Sequence, residues 1–164
     1  MNPSTTDESK KQSELQQAIA VAKLAHEGQM DKTGRPYFTH CARIAATDND
    51  PVFKIVAYLH DVVEKGTGWN AHRLRAEGFS IPVLSAVDAL TRQANESEET
   101  YFARIMSNSL ASRVKLADLR DNIMQAVRSG GNVEKYRTGI VLLQGFAGAN
   151  TRPWSGDAPP QTAR

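Results

Sequence analysis

The chain has 164 residues, which suits one domain with a sizeable core and is too short for two catalytic domains. Its 20 Lys and Arg residues against 18 Asp and Glu leave a formal charge of +2, too small to indicate a nucleic-acid polymer as partner. The single cysteine, Cys41, excludes an internal disulfide and a thiolate zinc site. We find no apolar signal segment and no membrane-length apolar run, so we expect a cytoplasmic protein without a membrane partner.

The first half of the chain predicts three helices. Apolar residues recur every three or four positions over residues 13–27, which predicts an amphipathic helix that Gly28 ends. The stretch "GQMDKTGRPYFTH" has two glycines and a proline, and it predicts a structured loop leading into a short helix through "HCARIAA". Pro51, after an Asp or Asn cap, predicts the start of a third helix whose buried face ends at His60.

The second half also has helical periodicity. A long helix is predicted from about Ser109, and it places Asp118 within its apolar stripe. Shorter helices are predicted at about residues 70–77, 82–90, 98–107 and 133–146. No segment alternates with the two-residue period of a strand, so the predicted fold is all-α, with about seven or eight helices.

Domain boundaries follow from the same pattern. The N-terminal residues are polar, and the last residues combine turn formers with no periodicity. Such segments bury too little apolar surface to fold. We therefore expect a flexible N-terminus over residues 1–12, one domain over 13–147 and a disordered tail over 148–164.

Four side chains able to bind a metal lie on or beside apolar faces: His40, His60, Asp61 and Asp118. A polar group taken out of water needs a partner that compensates its lost hydration. Two imidazoles and two carboxylates suit Mn²⁺, Fe²⁺, Co²⁺ or Zn²⁺, and such an ion activates water for attack on a phosphoryl group. The alternative is a set of hydrogen-bonded core residues, and spacing alone does not separate the two interpretations.

Three segments, "AHEGQMDKTGRPYFTHCARIA", "YLHDVVEKG" and "VKLADLRDN", resemble in this order the signature blocks of the HD-domain superfamily. The resemblance is to the RelA/SpoT-type hydrolases and their small single-domain relatives, and it spans about residues 18–136. It implies a compact HD-domain helical bundle in which His40, His60, Asp61 and Asp118 bind one divalent ion, usually manganese. Family members remove pyrophosphate from the 3′ position of ppGpp and pppGpp, or act on other nucleotides.

The same resemblance assigns roles to further residues. Glu64 would orient or activate the attacking water, with a solvated helix-end carboxylate as the alternative. Lys32 would lie beside the substrate, although an ordinary surface lysine fits equally well. Asn122 and Tyr136 would line the nucleotide pocket, or else serve a helix connection and the core, respectively.

Three positions depart from the family pattern. Lys65 stands where a second acid is usual, and we hypothesise that it attracts phosphate, so we count it with Glu64 as a catalytic candidate. Asp31 stands where many alarmone hydrolases have arginine, so guanine recognition is expected to differ. Cys41 replaces a common proline and is expected to pack in the core rather than act as a nucleophile.

The sequence therefore predicts a metal-dependent nucleotide phosphohydrolase that resembles guanosine-3′,5′-bis(diphosphate) 3′-pyrophosphohydrolases. Two alternatives remain: a phosphatase of the 5′-nucleotidase type, and a non-catalytic HD module that binds a nucleotide. The expected partner is a small nucleotide substrate. The oligomeric state is left open, with a homodimer among the options.

Overall fold

The computed structural model describes residues 3–149, with side chains described from residue 7 to residue 145. The regular elements of this part are helices: α1 (Pro3–Ala25), α2 (Tyr37–Ala45), α3 (Pro51–Leu59), α4 (Val62–Lys65), α5 (Ala71–Ala76), α6 (Ile81–Leu90), α7 (Glu98–Met106), α8 (Ser109–Ser129) and α9 (Glu134–Ala149). The all-helical prediction is confirmed. Over the same residues, no helix is both long and apolar enough to span a membrane.

The two ends of the described region differ from the prediction. Helix α1 begins at Pro3, ten residues before the expected start at Ser13. Apart from Pro3, residues 3–12 are all polar, so this part of the helix has no apolar face and periodicity did not reveal it. Helix α9 continues to Ala149, and the expected disordered tail lies almost entirely outside the described residues.

Helices α3 and α8 form the centre of the fold. Helix α3 packs against α1, α2, α6 and α8, while α8 also contacts α7 and α9. Because α3 is surrounded, its residues Ile55, Val56, Ala57 and Leu59 are all fully buried. The two central helices thus bring the histidine–aspartate pair at the end of α3 next to the middle of α8.

The end of α3 is what lets adjacent residues share one site. Asp50 caps its start, as predicted, by accepting a hydrogen bond from the Val52 N–H at 3.0 Å. At the other end Asp61 leaves the helix with φ −108° and ψ 0°, and α4 begins at the next residue. The helix therefore breaks at Asp61 itself, ahead of Gly66 and Gly68.

Gly66 fixes α4 against α1. Its N–H donates to the Val62 carbonyl at 2.9 Å, and the next N–H, of Thr67, donates to Ala25 at 3.1 Å. A Cβ at residue 66 would lie 2.4 Å from the Val62 oxygen and 3.0 Å from the Ala25 Cβ. The close approach of these two helix ends therefore requires glycine.

We predict that Gly66→Ala destabilises the fold by about 1–3 kcal/mol, because backbone atoms must move to admit the methyl group. Gly131→Ala is the matched control, since its Cβ would meet nothing closer than 3.6 Å and no positive φ is involved. Urea unfolding followed by circular dichroism measures both variants. Equal stabilities of the two variants would contradict the packing described here.

The loop before α2 is built around the buried carboxylate of Asp31. Its Oδ1 accepts from the Thr33 N–H and hydroxyl and from the Arg35 N–H, while its Oδ2 accepts from Arg43 at 3.0 Å. Burial opposes ionisation, but these hydrogen bonds outweigh it and lower the pKa of Asp31 to about 2. Asp31 is thus a structural residue, which explains an acid at this position.

We predict that Asp31→Asn lowers the free energy of unfolding by about 1–3 kcal/mol at neutral pH. The carboxyl protonates more readily in the unfolded chain, so its contribution is present above pH 3.8 and is lost as the pH falls towards 2. The difference between wild type and variant should therefore shrink over that interval in urea titrations. The exposed Asp7, paired with Lys11, supplies the control Asp7→Asn, which should change stability little at any pH.

Candidate metal centre

The structure brings four predicted side chains together from three separate segments. His40 comes from α2, His60 and Asp61 from the junction of α3 and α4, and Asp118 from α8. Ligand atoms of His40, His60 and Asp61 lie within 4.8 Å of one another. The Asp118 Oδ1 lies 3.3 Å from the His40 Nε2 and 3.8 Å from the His60 Nε2. All four side chains are buried.

Both imidazoles present an Nε2 lone pair to this cluster. The His60 Nδ1 donates to the Ala57 carbonyl at 2.7 Å, so in the neutral ring the Nε2 carries no hydrogen. That Nε2 is buried without a hydrogen-bond partner, 3.1 Å from the Asp61 Oδ2. The His40 Nδ1 likewise faces the Asp121 Oδ2 at 2.7 Å, which leaves its Nε2 directed at Asp118.

This arrangement fits a divalent cation. A nitrogen lone pair and a carboxylate oxygen repel each other at such distances unless a proton or a cation lies between them. Two imidazole nitrogens and two carboxylates form a donor set suited to Mn²⁺, Fe²⁺, Co²⁺ or Zn²⁺. Both Nδ1 atoms are held by oxygens of the chain, which is how metal-binding histidines are usually oriented.

A buried network behind His40 was not predicted from the sequence. Asp121 accepts from His40 and also from Arg43 at 2.7 Å, and the Gln125 amide donates to it at 2.6 Å. Burial opposes the charge, but His40 and Arg43 hold the pKa of Asp121 well below its usual range. Burial also disfavours the charged form of His40, yet Asp118 and Asp121 outweigh it and raise its pKa.

The rotation of α8 about its own axis explains why the sequence did not predict this network. The sequence placed Asp118 in the apolar stripe of α8, and the structure buries Asp121 and Gln125 as well. Asp121 follows Asp118 by three positions and therefore lies on the same face of the helix. That spacing was the signal available in the sequence.

Asp61 is held by two further groups. The Tyr37 hydroxyl donates to its Oδ2, and the Lys65 ammonium lies 2.7 Å from the same oxygen and 2.7 Å from the Tyr37 hydroxyl. Burial alone would raise the pKa of Asp61, but His60 and Lys65 hold it well below its usual range. Lys65 therefore lies at the edge of the cluster, where it contacts Tyr37 and the predicted metal ligand Asp61.

Asp118 has a lysine of its own. The Lys115 Nζ lies 3.0 Å from the Asp118 Oδ2, and the two residues are three apart on α8. Burial disfavours the charged form of Lys115, but Asp118 outweighs this and raises its pKa. Neither Lys115 nor Tyr37 was singled out in the sequence, because a lysine or a tyrosine near a motif is not by itself a signal.

The three predicted substrate-binding residues meet beside the cluster. The Asn122 side chain donates to the Asp118 Oδ1 at 2.5 Å and accepts from the Lys32 ammonium. The Lys32 Nζ also lies 5.2 Å from the centre of the Tyr136 ring. Tyr136 is half-buried, so one part of its ring packs against the core while the ring also contacts the Lys32 ammonium beside the cluster.

Glu64 is placed apart from the four-residue cluster. Its Oε1 accepts a hydrogen bond from the Arg92 N–H at 2.6 Å, and none of its described contacts reaches the histidines. It lines an open cavity of about 300 Å³ together with Arg92, Lys115 and Tyr136. Because Lys115 binds Asp118, this cavity connects Glu64 to the edge of the cluster.

Two other cavities lie near the centre. One of about 330 Å³ is bordered by Lys32, Lys135 and Tyr136 and thus shares two residues with the Glu64 cavity. Another, of about 520 Å³, is bordered by Arg43 and Asp121 and by none of the four clustered residues. The first continues the predicted substrate surface, whereas the second lies against the supporting network.

Two residues with reactive side chains are buried near the centre. Burial raises the pKa of the Cys41 thiol, in agreement with the expectation that it packs and does not act as a nucleophile. His26 contacts the Tyr37 ring at a centroid distance of 4.8 Å, and its Nδ1 is 2.9 Å from the Gln29 Oε1. Burial lowers the pKa of His26, which favours the neutral ring.

No protein-family model matches the chain, but two curated proteins do. A protein of Streptomyces coelicolor described as GTP pyrophosphokinase is 28% identical over 159 residues, covering 86% of this chain and 18% of its own length. A protein of Haemophilus influenzae described as guanosine-3′,5′-bis(diphosphate) 3′-pyrophosphohydrolase is 35% identical over 78 residues, covering 44% of this chain and 11% of its own length. The chain thus spans under one fifth of either relative.

A solved structure is also similar. It is that of a metazoan ortholog of SpoT that hydrolyses ppGpp, and it matches with a TM-score of 0.61 at 21% identity. The match covers 80% of this chain and 82% of that protein. The helix order, the clustered His and Asp residues and these similarities lead to one conclusion: the chain has the RelA/SpoT-type HD fold.

Proposed function

We propose that the chain is a metal-dependent phosphohydrolase of nucleotides, and that guanosine-3′,5′-bis(diphosphate) is its leading substrate. The main support is the buried convergence of His40, His60, Asp61 and Asp118, with one Nε2 left without a partner. The described activities of the Haemophilus relative and of the solved neighbour agree with this chemistry. The reaction would release pyrophosphate from the 3′ position.

We propose manganese as the resident ion, with iron, cobalt and zinc as alternatives compatible with the same donors. His40, His60, Asp61 and Asp118 would hold it. A divalent ion bound there would supply positive charge to a phosphoryl oxygen and would lower the pKa of a water molecule.

The surrounding side chains provide the remaining parts of a nucleotide site. Lys32 and Lys115 place ammonium groups on two sides of Asp118, where they would attract phosphate oxygens. The Tyr136 ring borders both neighbouring cavities and would stack on the base. Glu64 would accept the proton of the attacking water, a role that its carboxylate can fill from the cavity it shares with Lys115.

One observation favours a second candidate, a module that binds a nucleotide without hydrolysing it. The Asp61 Oδ2 is already engaged by Lys65 and Tyr37, so a cation must compete with an ammonium group for this carboxylate. We rank this candidate below the enzyme, because all four proposed ligands are present and the Lys65 side chain is half-exposed to solvent.

We predict that protein supplied with Mn²⁺ releases pyrophosphate from ppGpp, and that Asp61→Ala and Asp118→Ala lose both metal and rate. Glu64→Gln should retain metal and lose at least about a hundredfold in rate, because it removes only a proton acceptor. Elemental analysis and a coupled pyrophosphate assay measure the two properties. Glu98→Gln, on the rim of the same cavity, is the control.

Other outcomes of the same assay select other functions. Turnover of nucleoside monophosphates without turnover of ppGpp would indicate the 5′-nucleotidase type. Nucleotide binding with no product from any nucleotide would indicate the non-catalytic module. Full turnover of ppGpp by Asp118→Ala would contradict the proposed metal site.

We further predict that Asp121→Asn weakens Mn²⁺ binding by about 10–100-fold, because it removes the carboxylate that orients the His40 ring. Asp88→Asn, at an exposed position on α6, should leave the affinity unchanged. Electron paramagnetic resonance of free Mn²⁺ gives both dissociation constants. An Asp121→Asn protein with wild-type affinity would show that the network behind His40 has no part in metal binding.

A further inference from the structure

Each buried carboxylate of the cluster has its own ammonium group. The Lys65 Nζ lies 2.7 Å from the Asp61 Oδ2, and the Lys115 Nζ lies 3.0 Å from the Asp118 Oδ2. These distances are those of hydrogen-bonded ion pairs between ammonium and carboxylate groups. The cluster therefore contains two positive and two negative side chains.

These four charges cancel before any cation binds. A histidine must be neutral to bind a metal. In that state the two carboxylates and two ammonium groups give the cluster a net charge of zero. A cluster with the carboxylates alone would carry a charge of −2 and would attract a divalent cation strongly. The two lysines remove that attraction. Lys65 contacts the same Asp61 oxygen that faces His60, and Lys115 neutralises Asp118 through its other oxygen, Oδ2.

Binding of a divalent cation therefore leaves an excess of positive charge. If both lysines remain nearby, the group has a charge of +2 in a setting where unpaired charge is costly. A doubly charged phosphate anion restores neutrality. The route for such an anion is open, because Lys65 has 49% of its side chain exposed and Lys115 lines the cavity with Arg92 and Lys135.

We infer that Lys65 and Lys115 make divalent-cation binding and phosphate binding mutually dependent in this protein. The cation alone binds weakly, and the cation with a phosphoryl anion binds tightly, each strengthening the other by the same factor. This inference rests on the proposed function, because it concerns the same metal site. Lys65 stands where a second acid is usual, and the inference gives this difference a specific effect. The phosphate of the substrate helps to hold the divalent ion at the site.

The test is a Mn²⁺ titration followed by electron paramagnetic resonance, with and without inorganic phosphate, corrected by a protein-free titration for manganese phosphate ion pairs. For the wild-type chain we expect phosphate to strengthen Mn²⁺ binding at least about fivefold, the lower end of usual coupling. In Lys65→Met, Mn²⁺ alone should bind more tightly than in the wild type, and the enhancement by phosphate should shrink. Lys115→Met should act in the same direction.

The control is Lys10→Met, which removes an exposed lysine of α1 far along the chain from the cluster and should retain the wild-type coupling. Thermal unfolding identifies any variant that fails to fold, and the second lysine variant then replaces it. Equal Mn²⁺ affinity with and without phosphate in the wild type would overturn the inference. Pyrophosphate release from ppGpp by that same preparation would show that the proposed function survives, whereas absence of Mn²⁺ binding under both conditions would overturn both.

Discussion

The need for positive charge between two buried carboxylates governs this molecule. Asp61 and Asp118 face the lone-pair nitrogens of His40 and His60 in the interior, an arrangement that is unfavourable without a compensating cation. The chain supplies two positive charges itself through lysines at the edge of the cluster, yet the His60 Nε2 still has no hydrogen-bond partner. A divalent ion would pair that nitrogen with the carboxylate oxygens, and we propose that phosphate balances the charge that the ion adds.

Packed helices and a hydrogen-bonded network hold this cluster in place. Helix α3 buries Phe53, Ile55, Val56, Ala57 and Leu59 and ends directly before His60, while α8 contacts five other helices. Behind His40, Asp121 and Arg43 link α8 to α2 and to the loop around Asp31. The supporting charges are paired and hydrogen-bonded, which holds the proposed ligands in position, while Lys65 on the open side is half-exposed and can respond to a substrate.

Much of this architecture could be predicted from local pattern. Helical period located α3 and α8, and the Asp50 cap was recognisable from its place before a proline. The three quoted motifs identified the residues that converge, because each motif resembles one signature block of the HD-domain superfamily. The partners could not be predicted, since Asp121 meets His40 only through the packing of α8 on α2 and a shift of one residue in helical phase decides which side chain faces inward.

The role of Lys65 shows the same limit most clearly. As a departure from a family motif it indicated altered chemistry, but only the geometry identified Asp61 as its partner. The most direct test of the account is a crystal of the protein soaked in Mn²⁺ and measured at the manganese absorption edge. One anomalous peak is expected, within bonding distance of the Nε2 atoms of His40 and His60 and of carboxylate oxygens of Asp61 and Asp118. A peak elsewhere, or none at this place at saturating Mn²⁺ and phosphate, would contradict it.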